Sequence, residues 1–135
     1  MRIVADTNIL FSFFWENSLI KQIILSSNME IFSPEFAIEE LEKHSSLIIN
    51  KTKMPKKEFI SELNKLKSTI KFFSKKDYTF FLKEASNISP DKDDAHFLAL
   101  CLKLNLPLWS NDKELKKQYK IVVLNINDII EVYFG

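Results

Sequence analysis

The chain has 135 residues, 46% of them hydrophobic and 12 of them Phe, which is the size of one domain (residues 1–135) with enough apolar side chains for a core. Its single Cys, Cys101, excludes an internal disulfide, and with only two His residues it has no zinc-type Cys/His spacing. The net charge is +1, no leader-like segment precedes residue 2, and no apolar stretch approaches the ~20 residues of a membrane helix, so we expect a soluble cytoplasmic protein.

Short apolar runs alternate with longer helical patterns along the chain. The runs are rich in β-branched and aromatic residues and predict strands over residues 2–5, 30–33, 70–73, 107–110 and 121–124. The segments between them predict helices over residues 9–27, 34–50, 55–68, 78–87, 90–105 and 127–133. Three of these helices contain a proline that fits the first turn, namely Pro34, Pro55 and Pro90.

This alternation predicts an α/β fold with a mainly parallel sheet of roughly five strands, because parallel neighbours need crossover connections. In such folds the functional crevice lies at the carboxyl ends of the strands. The only glycine is Gly135, which excludes glycine-rich phosphate loops of the Rossmann and P-loop types.

Four acidic residues occupy positions from which their carboxylates could converge on that crevice: Asp6, Glu40, Asp94 and Asp112. Asp6 and Asp112 each follow a predicted strand, while Asp94 opens one predicted helix and Glu40 lies within another. Carboxylate oxygens are ligands that suit Mg²⁺ or Mn²⁺. The pattern therefore favours a metal-dependent nuclease.

Each of these acids also has an ordinary structural explanation. The sequence Asp6-Thr7-Asn8 is typical of a helix N-cap, and we predict that Thr7 or Asn8 is the cap and leaves Asp6 free. Three of residues 91–94 are acidic, which the helix dipole favours, although a cation would relieve their mutual repulsion. The helix over residues 34–50 carries several glutamates, and position alone does not choose among them.

Basic residues concentrate in residues 43–76, which hold ten Lys against two acids. This local excess is typical of a protein with a polyanionic partner, although a solvated Lys-rich helical face is the simpler alternative. The aromatic cluster at residues 11–15 is predicted to be core rather than a base-stacking surface, and Cys101 a small buried apolar residue.

The chain resembles the PIN domain family, compact nucleases found in VapC-type toxins and in RNA-processing enzymes. The matching segments are residues 3–8, 33–41, 91–100 and 108–115. The resemblance implies a three-layer α/β/α fold whose acids bind one or two Mg²⁺ or Mn²⁺ ions. It also implies in-line attack of a metal-activated water on a phosphodiester, leaving 5′-phosphate and 3′-hydroxyl ends.

The family's functional residues carry over onto named positions of this chain. The resemblance implies catalytic acids at Asp6, Glu40, Asp94 and Asp112, with metal bound by Asp6, Asp94, Asp112 and Asp91. Glu40 is preferred to Glu39 because it directly precedes the apolar Leu41, and Asp93 could replace Asp91. Asn8 and Ser110 would be supporting polar neighbours.

The expected partner is single-stranded or structured RNA. Five lysines from the basic stretch are predicted to hold the phosphate backbone without reading sequence: Lys43, Lys51, Lys53, Lys56 and Lys57. An antitoxin protein and a second copy of the chain are further predicted partners, with exposed Phe residues or residues 132–134 as the contact surface.

Other functions stay open at this point. The main rival is a catalytically silent PIN domain that binds RNA or protein, and a DNA-directed nuclease would need the same residues. A phosphotransfer domain is less favoured, because the phosphatases of that kind need a second Asp where Asn8 stands. The sequence does not decide between a toxin and a housekeeping ribonuclease.

Overall fold

The computed structural model describes residues 1–26 and 28–134, with side chains described as far as Val132. Its centre is a parallel sheet of five strands in the order β3-β2-β1-β4-β5. The strands are β1 (Arg2–Ala5), β2 (Glu30–Pro34), β3 (Lys71–Phe73), β4 (Leu108–Trp109) and β5 (Val123–Leu124). The predicted α/β class and the five predicted strands are confirmed, with ends that differ by up to two residues.

Helices cover both faces of the sheet and complete the three-layer arrangement. They are α1 (Thr7–Phe11), α2 (Leu19–Ile24), α3 (Glu35–Lys43), α4 (Ser45–Thr52), α5 (Lys56–Thr69), α6 (Lys75–Tyr78), α7 (Leu82–Ile88), α8 (Ala95–Leu104) and α9 (Ile126–Phe134). Single 3₁₀ turns lie at Ser12–Phe14, Thr79–Phe81, Lys92–Asp94 and Leu115–Lys117. None of the helices in the described part of the chain has the length and apolar character needed to cross a bilayer.

The register of the central strands brings the residues after β1 and β4 together. Val4 pairs with Leu108 and Ala5 with Trp109, so the two strands end side by side. Residues 3–5 are wholly buried, as expected for a parallel strand that is covered on both faces. Asp6 and the segment that leads to Asp112 therefore start from the same edge of the sheet.

Two predicted helices are interrupted in the structure. The helix predicted over residues 9–27 breaks after the 3₁₀ turn Ser12–Phe14 and restarts where the Ser18 side chain caps α2; its predicted last residue, Ser27, lies outside the described residues. The helix predicted over residues 34–50 breaks at His44. Both breaks escaped the prediction because the apolar periodicity continues through them.

The predictions for prolines and aromatic residues need correction. Pro34 and Pro55 are N-cap residues with extended backbone rather than first-turn residues, and Pro90 precedes the 3₁₀ turn Lys92–Asp94. Phe13 and Phe14 lie in the core, as predicted. Trp15 does not lie in the core: the chain leaves the 3₁₀ turn in an extended conformation at this residue, and Trp15 remains 37% exposed.

Candidate active site

Asp6 lies at the carboxyl end of the central strand, where its side chain is only 7% exposed. Its backbone N–H donates to the Trp109 carbonyl (3.2 Å), which continues the pairing of β1 with β4. One carboxylate oxygen accepts a hydrogen bond from the Ile9 N–H (3.0 Å), so Asp6 itself caps α1. The prediction that Thr7 or Asn8 would be the cap is therefore wrong.

Ser110 is the residue that follows β4, and it links the end of that strand to β5. Its backbone N–H donates to the Leu124 carbonyl (3.0 Å), and the side chain is 1% exposed. The hydroxyl accepts from the Asp112 N–H (3.1 Å), and it lowers the pKa of the Asp6 carboxyl. Asp112 is itself exposed, with Oδ1 accepting from the Glu114 N–H (2.9 Å) in an Asx turn.

The acidic run before α8 divides its members between two roles. Asp91 is exposed and caps the 3₁₀ turn, accepting from the Asp93 N–H (3.1 Å). Asp94 is half-buried and is the N-cap position of α8, although its side chain makes no capping hydrogen bond. Asp93 is exposed and lies beside Glu40, whose pKa it raises.

Glu40 reaches the crevice from α3. It is half-buried and accepts a hydrogen bond from the Thr7 hydroxyl, which ties α3 to the start of α1. Glu39 is exposed and its charge acts instead on Tyr78 and His96. The two neighbouring glutamates thus face different surroundings, as helical geometry requires of consecutive residues.

These side chains enclose a cavity of about 180 Å³, which we call the acidic crevice. Its lining residues are Asp6, Thr7, Asn8, Phe11, Glu40, His44, Asp93, Asp94 and Phe97. Asp91 and Asp112 lie outside the lining and act on the crevice through their charges. Thr7 and His44 were not among the predicted site residues, although the spacing of four from Glu40 to His44 could have revealed the latter.

Burial and mutual repulsion raise the pKa values of the crevice acids. Burial raises the pKa of Asp6 to about 6, and the Asp112 carboxylate adds to the rise against the lowering hydrogen bonds from Ser110 and Ile9. The pKa of Asp94 also rises to about 6, through burial and then through four neighbouring carboxylates. Burial likewise raises the pKa of Glu40, while the Thr7 hydrogen bond lowers it.

Comparisons with known proteins identify the family of this chain. A sequence model of the PIN domain matches residues 4–120. The chain belongs to the PIN domain family. Among curated protein sequences, none gives a significant match to this PIN domain.

Three solved structures share the PIN fold of this chain at low identity. VapBC2 from Rickettsia felis, solved with a DNA fragment from its promoter, has a TM-score of 0.68 at 20% identity and covers 93% of this chain and 98% of its own. PAE2754 from Pyrobaculum aerophilum has a TM-score of 0.69 at 15% identity, covering 98% and 88%. A toxin-antitoxin complex from Klebsiella pneumoniae has a TM-score of 0.59 at 18% identity, covering 90% and 96%.

The donor chemistry of the crevice fits Mg²⁺ or Mn²⁺. All of the acids offer oxygen ligands, and their shared repulsion is what a cation would relieve. Within residues 1–26 and 28–132, no three Asp, Glu, His or Cys side chains stand close enough to hold one ion together. Mg²⁺ in proteins is commonly bound through one or two carboxylates plus water and substrate phosphates.

The five predicted substrate lysines of this PIN domain are all exposed. They lie along α3, α4 and the start of α5, and the charge of Lys43 lowers the pKa of Glu40. Lys56 and Lys57 occupy the first turn of α5, where the helix dipole disfavours cations. A role in stabilising α5 therefore does not explain this pair.

Proposed function

We propose that this PIN domain is a Mg²⁺- or Mn²⁺-dependent endoribonuclease. The observation that carries the proposal is the pair Asp6 and Asp94, which face one crevice at the sheet edge with pKa values near 6. In the described part of the chain, neither carboxylate forms a salt bridge with a Lys or Arg that would offset its charge. Carboxylates without a nearby cation repel one another, and a bound metal ion would relieve that repulsion.

Each residue then has a role in holding the reacting groups. Asp6, Asp94 and Asp112 would hold the ions, with Asp93 or Asp91 in support. Divalent ions in such a site lower the pKa of bound water and offset charge on the phosphoryl oxygens. Glu40, oriented by Thr7, would accept a proton from the attacking water, and Ser110 and Asn8 would orient the ligands around Asp6.

The direct test is cleavage by the native protein. We expect cutting of a generic single-stranded RNA with Mg²⁺ or Mn²⁺, no cutting in EDTA, and recovery when the metal is restored. Mapping the product ends should give 5′-phosphates and 3′-hydroxyls, and a DNA of the same sequence tests sugar preference. RNA that is bound but never cut would instead identify a catalytically silent PIN domain.

The two neighbouring glutamates provide a matched pair of variants. Glu40→Gln should reduce kcat by about 100-fold or more, because loss of a general base typically removes a factor of about 10²–10⁴. Glu39→Gln makes the same chemical change one residue away and should leave kcat within about twofold. Equal rates in the two variants, measured at saturating RNA, would remove Glu40 from the catalytic set.

Charge reversal at the start of α5 should report on RNA binding. The double change Lys56→Glu and Lys57→Glu should weaken binding and lower the slope of log K against log salt by about 0.7 for each phosphate that the protein no longer neutralises. The control is charge reversal of Lys75 and Lys76, which are also exposed, because it changes the net charge by the same amount. An identical salt slope in the Lys56/Lys57 variant and the native protein would place this pair outside the interface.

A toxin role and an antitoxin partner are proposals that rest on likeness of fold. Two of the similar structures are described as VapBC2 and as a toxin-antitoxin complex. We expect expression of this chain in the cytoplasm to arrest growth and the product of an adjacent gene to relieve the arrest. Growth without arrest would favour general RNA turnover. The homodimer stays a prediction: Phe80 is 89% exposed, while the side chains of Tyr133 and Phe134 lie outside the described residues.

A further inference from the structure

A second cavity opens directly beside the acidic crevice. It measures about 280 Å³, and we call it the aromatic cleft. Its lining residues are Asn8, Phe11, Trp15, Leu47, Ile48 and Lys51. Asn8 and Phe11 also line the acidic crevice, so the two cavities share a wall. A ligand held at the carboxylates can therefore extend into the aromatic cleft without leaving the surface.

The cleft presents apolar and aromatic surface that the fold leaves uncovered. Trp15 is 37% exposed and Leu47 is 47% exposed, while Ile48 beneath them is buried. Burial of a large apolar side chain normally stabilises a fold. Trp15 nevertheless stays exposed, because the backbone becomes extended at this residue and separates it from the buried Phe13 and Phe14. An exposed indole on an apolar floor suits a flat, apolar partner.

One lysine, Lys51, lines the cleft. Trp15 and Lys51 also line a third cavity of about 420 Å³, which includes Lys53. Three glutamates line it too, Glu16, Glu58 and Glu62, of which Glu62 is paired with Lys21 (2.9 Å). Neither Lys51 nor Lys53 forms a salt bridge with another described residue. Glu16 and Glu58 are likewise without a salt bridge among the described residues, so the lysines of the third cavity are matched by acids, and Lys51 is the cation that the aromatic cleft itself offers to a phosphate.

The acidic crevice thus adjoins a cleft that holds both an aromatic ring, Trp15, and a cation, Lys51. A single nucleic-acid strand offers the matching groups, because each nucleoside, with its base, lies between two successive phosphates. Base–aromatic stacking tolerates any base, and lysines bind the backbone as point charges. A protein segment could fill the apolar part, but it would leave unexplained why the cleft joins an acidic crevice and holds the unpaired Lys51.

We infer that the aromatic cleft binds one unpaired base beside the scissile phosphate, with the base stacked on Trp15 and the adjoining phosphate held by Lys51. The inference rests on the proposed nuclease function and assigns recognition of an unpaired base to one residue of this chain, Trp15. A paired base has both faces covered by its neighbours in the helix and cannot enter a cleft of this kind. The protein therefore discriminates single strands from duplexes by shape rather than by base sequence.

The test compares three variants of the full-length protein in two assays. Trp15→Ala removes the ring, Trp15→Phe keeps a ring, and Tyr119→Ala removes an exposed aromatic ring that lies outside the three cavities. The first assay measures binding of a short oligouridylate in EDTA, which needs neither metal nor cleavage. The second measures Mn²⁺-dependent kcat/KM on that strand and on a duplex of equal length.

We expect Trp15→Ala to weaken strand binding by about tenfold, as for loss of one stacked base, with Trp15→Phe intermediate and Tyr119→Ala unchanged. The preference of kcat/KM for single strand over duplex should fall in parallel. In the native protein the oligouridylate should shield Trp15 from acrylamide quenching, because the other Trp, Trp109, is already buried. This last measurement needs no variant, so it holds even if Trp15→Ala folds poorly.

The outcomes separate this inference from the proposed function. Native cleavage with unchanged strand preference and binding in Trp15→Ala would overturn the base site and leave the nuclease. Ring-dependent binding without any cleavage would support the base site and overturn the nuclease. Absence of both would overturn both. Loss of a co-purifying protein in Trp15→Ala, with RNA affinity unchanged, would overturn the base site and identify a protein as the occupant of the cleft.

Discussion

Replacing Asp6 with Asn is expected to abolish metal-dependent RNA cleavage while leaving the protein at least as stable at pH 7.5. The activity falls because the amide loses the charge that would hold the metal, and we expect a decrease in kcat/KM of at least about 100-fold. The fold survives because Asn is as good an N-cap as Asp and can accept the same hydrogen bond from Ile9. Removing a buried charge also removes its desolvation penalty.

The control is Asp6→Ala, which removes both the charge and the cap. That variant should lose activity equally and also lose about 1 kcal/mol of stability relative to Asp6→Asn, the usual worth of an N-cap. Urea unfolding of the three proteins in EDTA, together with cleavage rates in Mn²⁺, would separate the two roles. Full activity in Asp6→Asn would mean that the carboxylate serves the fold alone.

The metal-free protein should become less stable as the pH rises from about 4 to 7. The pKa of Asp6 lies at about 6 in the folded chain, above its ordinary value of 3.8. The folded state therefore retains a proton that the unfolded state has already released over this interval. The contribution of Asp6 to the free energy of unfolding is fully present below pH 4 and is lost as the pH rises through 6. Asp94 shifts in the same direction, although it is only half-buried and water screens part of its effect.

The expected loss from Asp6 is about 3 kcal/mol, since each pKa unit corresponds to about 1.4 kcal/mol. Acids with a lowered pKa, such as Asp128, make stability change with pH in the opposite direction. Their contribution is the same in the native protein and in Asp6→Asn, so it cancels when the two proteins are compared. The measurement is the free energy of unfolding of both proteins in EDTA across this pH range. Their curves should diverge as the pH rises, and saturating Mn²⁺ at pH 7.5 should restore stability to the native protein. Parallel curves would show that Asp6 titrates normally.

The strands and most helices could be predicted because their signals are local. A parallel strand that is buried on both faces, such as β1 after Arg2, has a continuous apolar run in its sequence. The breaks at Trp15 and His44 could not be predicted in this way. At both places the apolar spacing continues, although Trp15 has an extended backbone and the backbone of His44 leaves the helical region.

The candidate site was predictable in its residue types more than in its arrangement. Acids that follow β1 and β4 within three residues should lie near one edge once those strands pair, and their pairing agrees with this. Which member of the run 91–94 would face the crevice depends on the 3₁₀ turn, which leaves Asp91 as its cap and brings Asp93 into the lining. The pKa values of Asp6 and Asp94 depend on burial by several elements, which no single segment specifies.

The sequence by itself determined the strand–helix alternation, the acids at the strand ends and the membership of the PIN domain family. These follow from spacing within short segments, where the period of the apolar residues and the residue after a strand have direct meaning. Only the tertiary structure decided that Asp6 is both helix cap and desolvated carboxylate, and that Thr7 orients Glu40. It alone also left Trp15 exposed beside Lys51 at the wall of the acidic crevice. The reason is physical: burial, charge coupling and shared cavities depend on which distant segments pack together, and spacing along the chain does not encode those contacts.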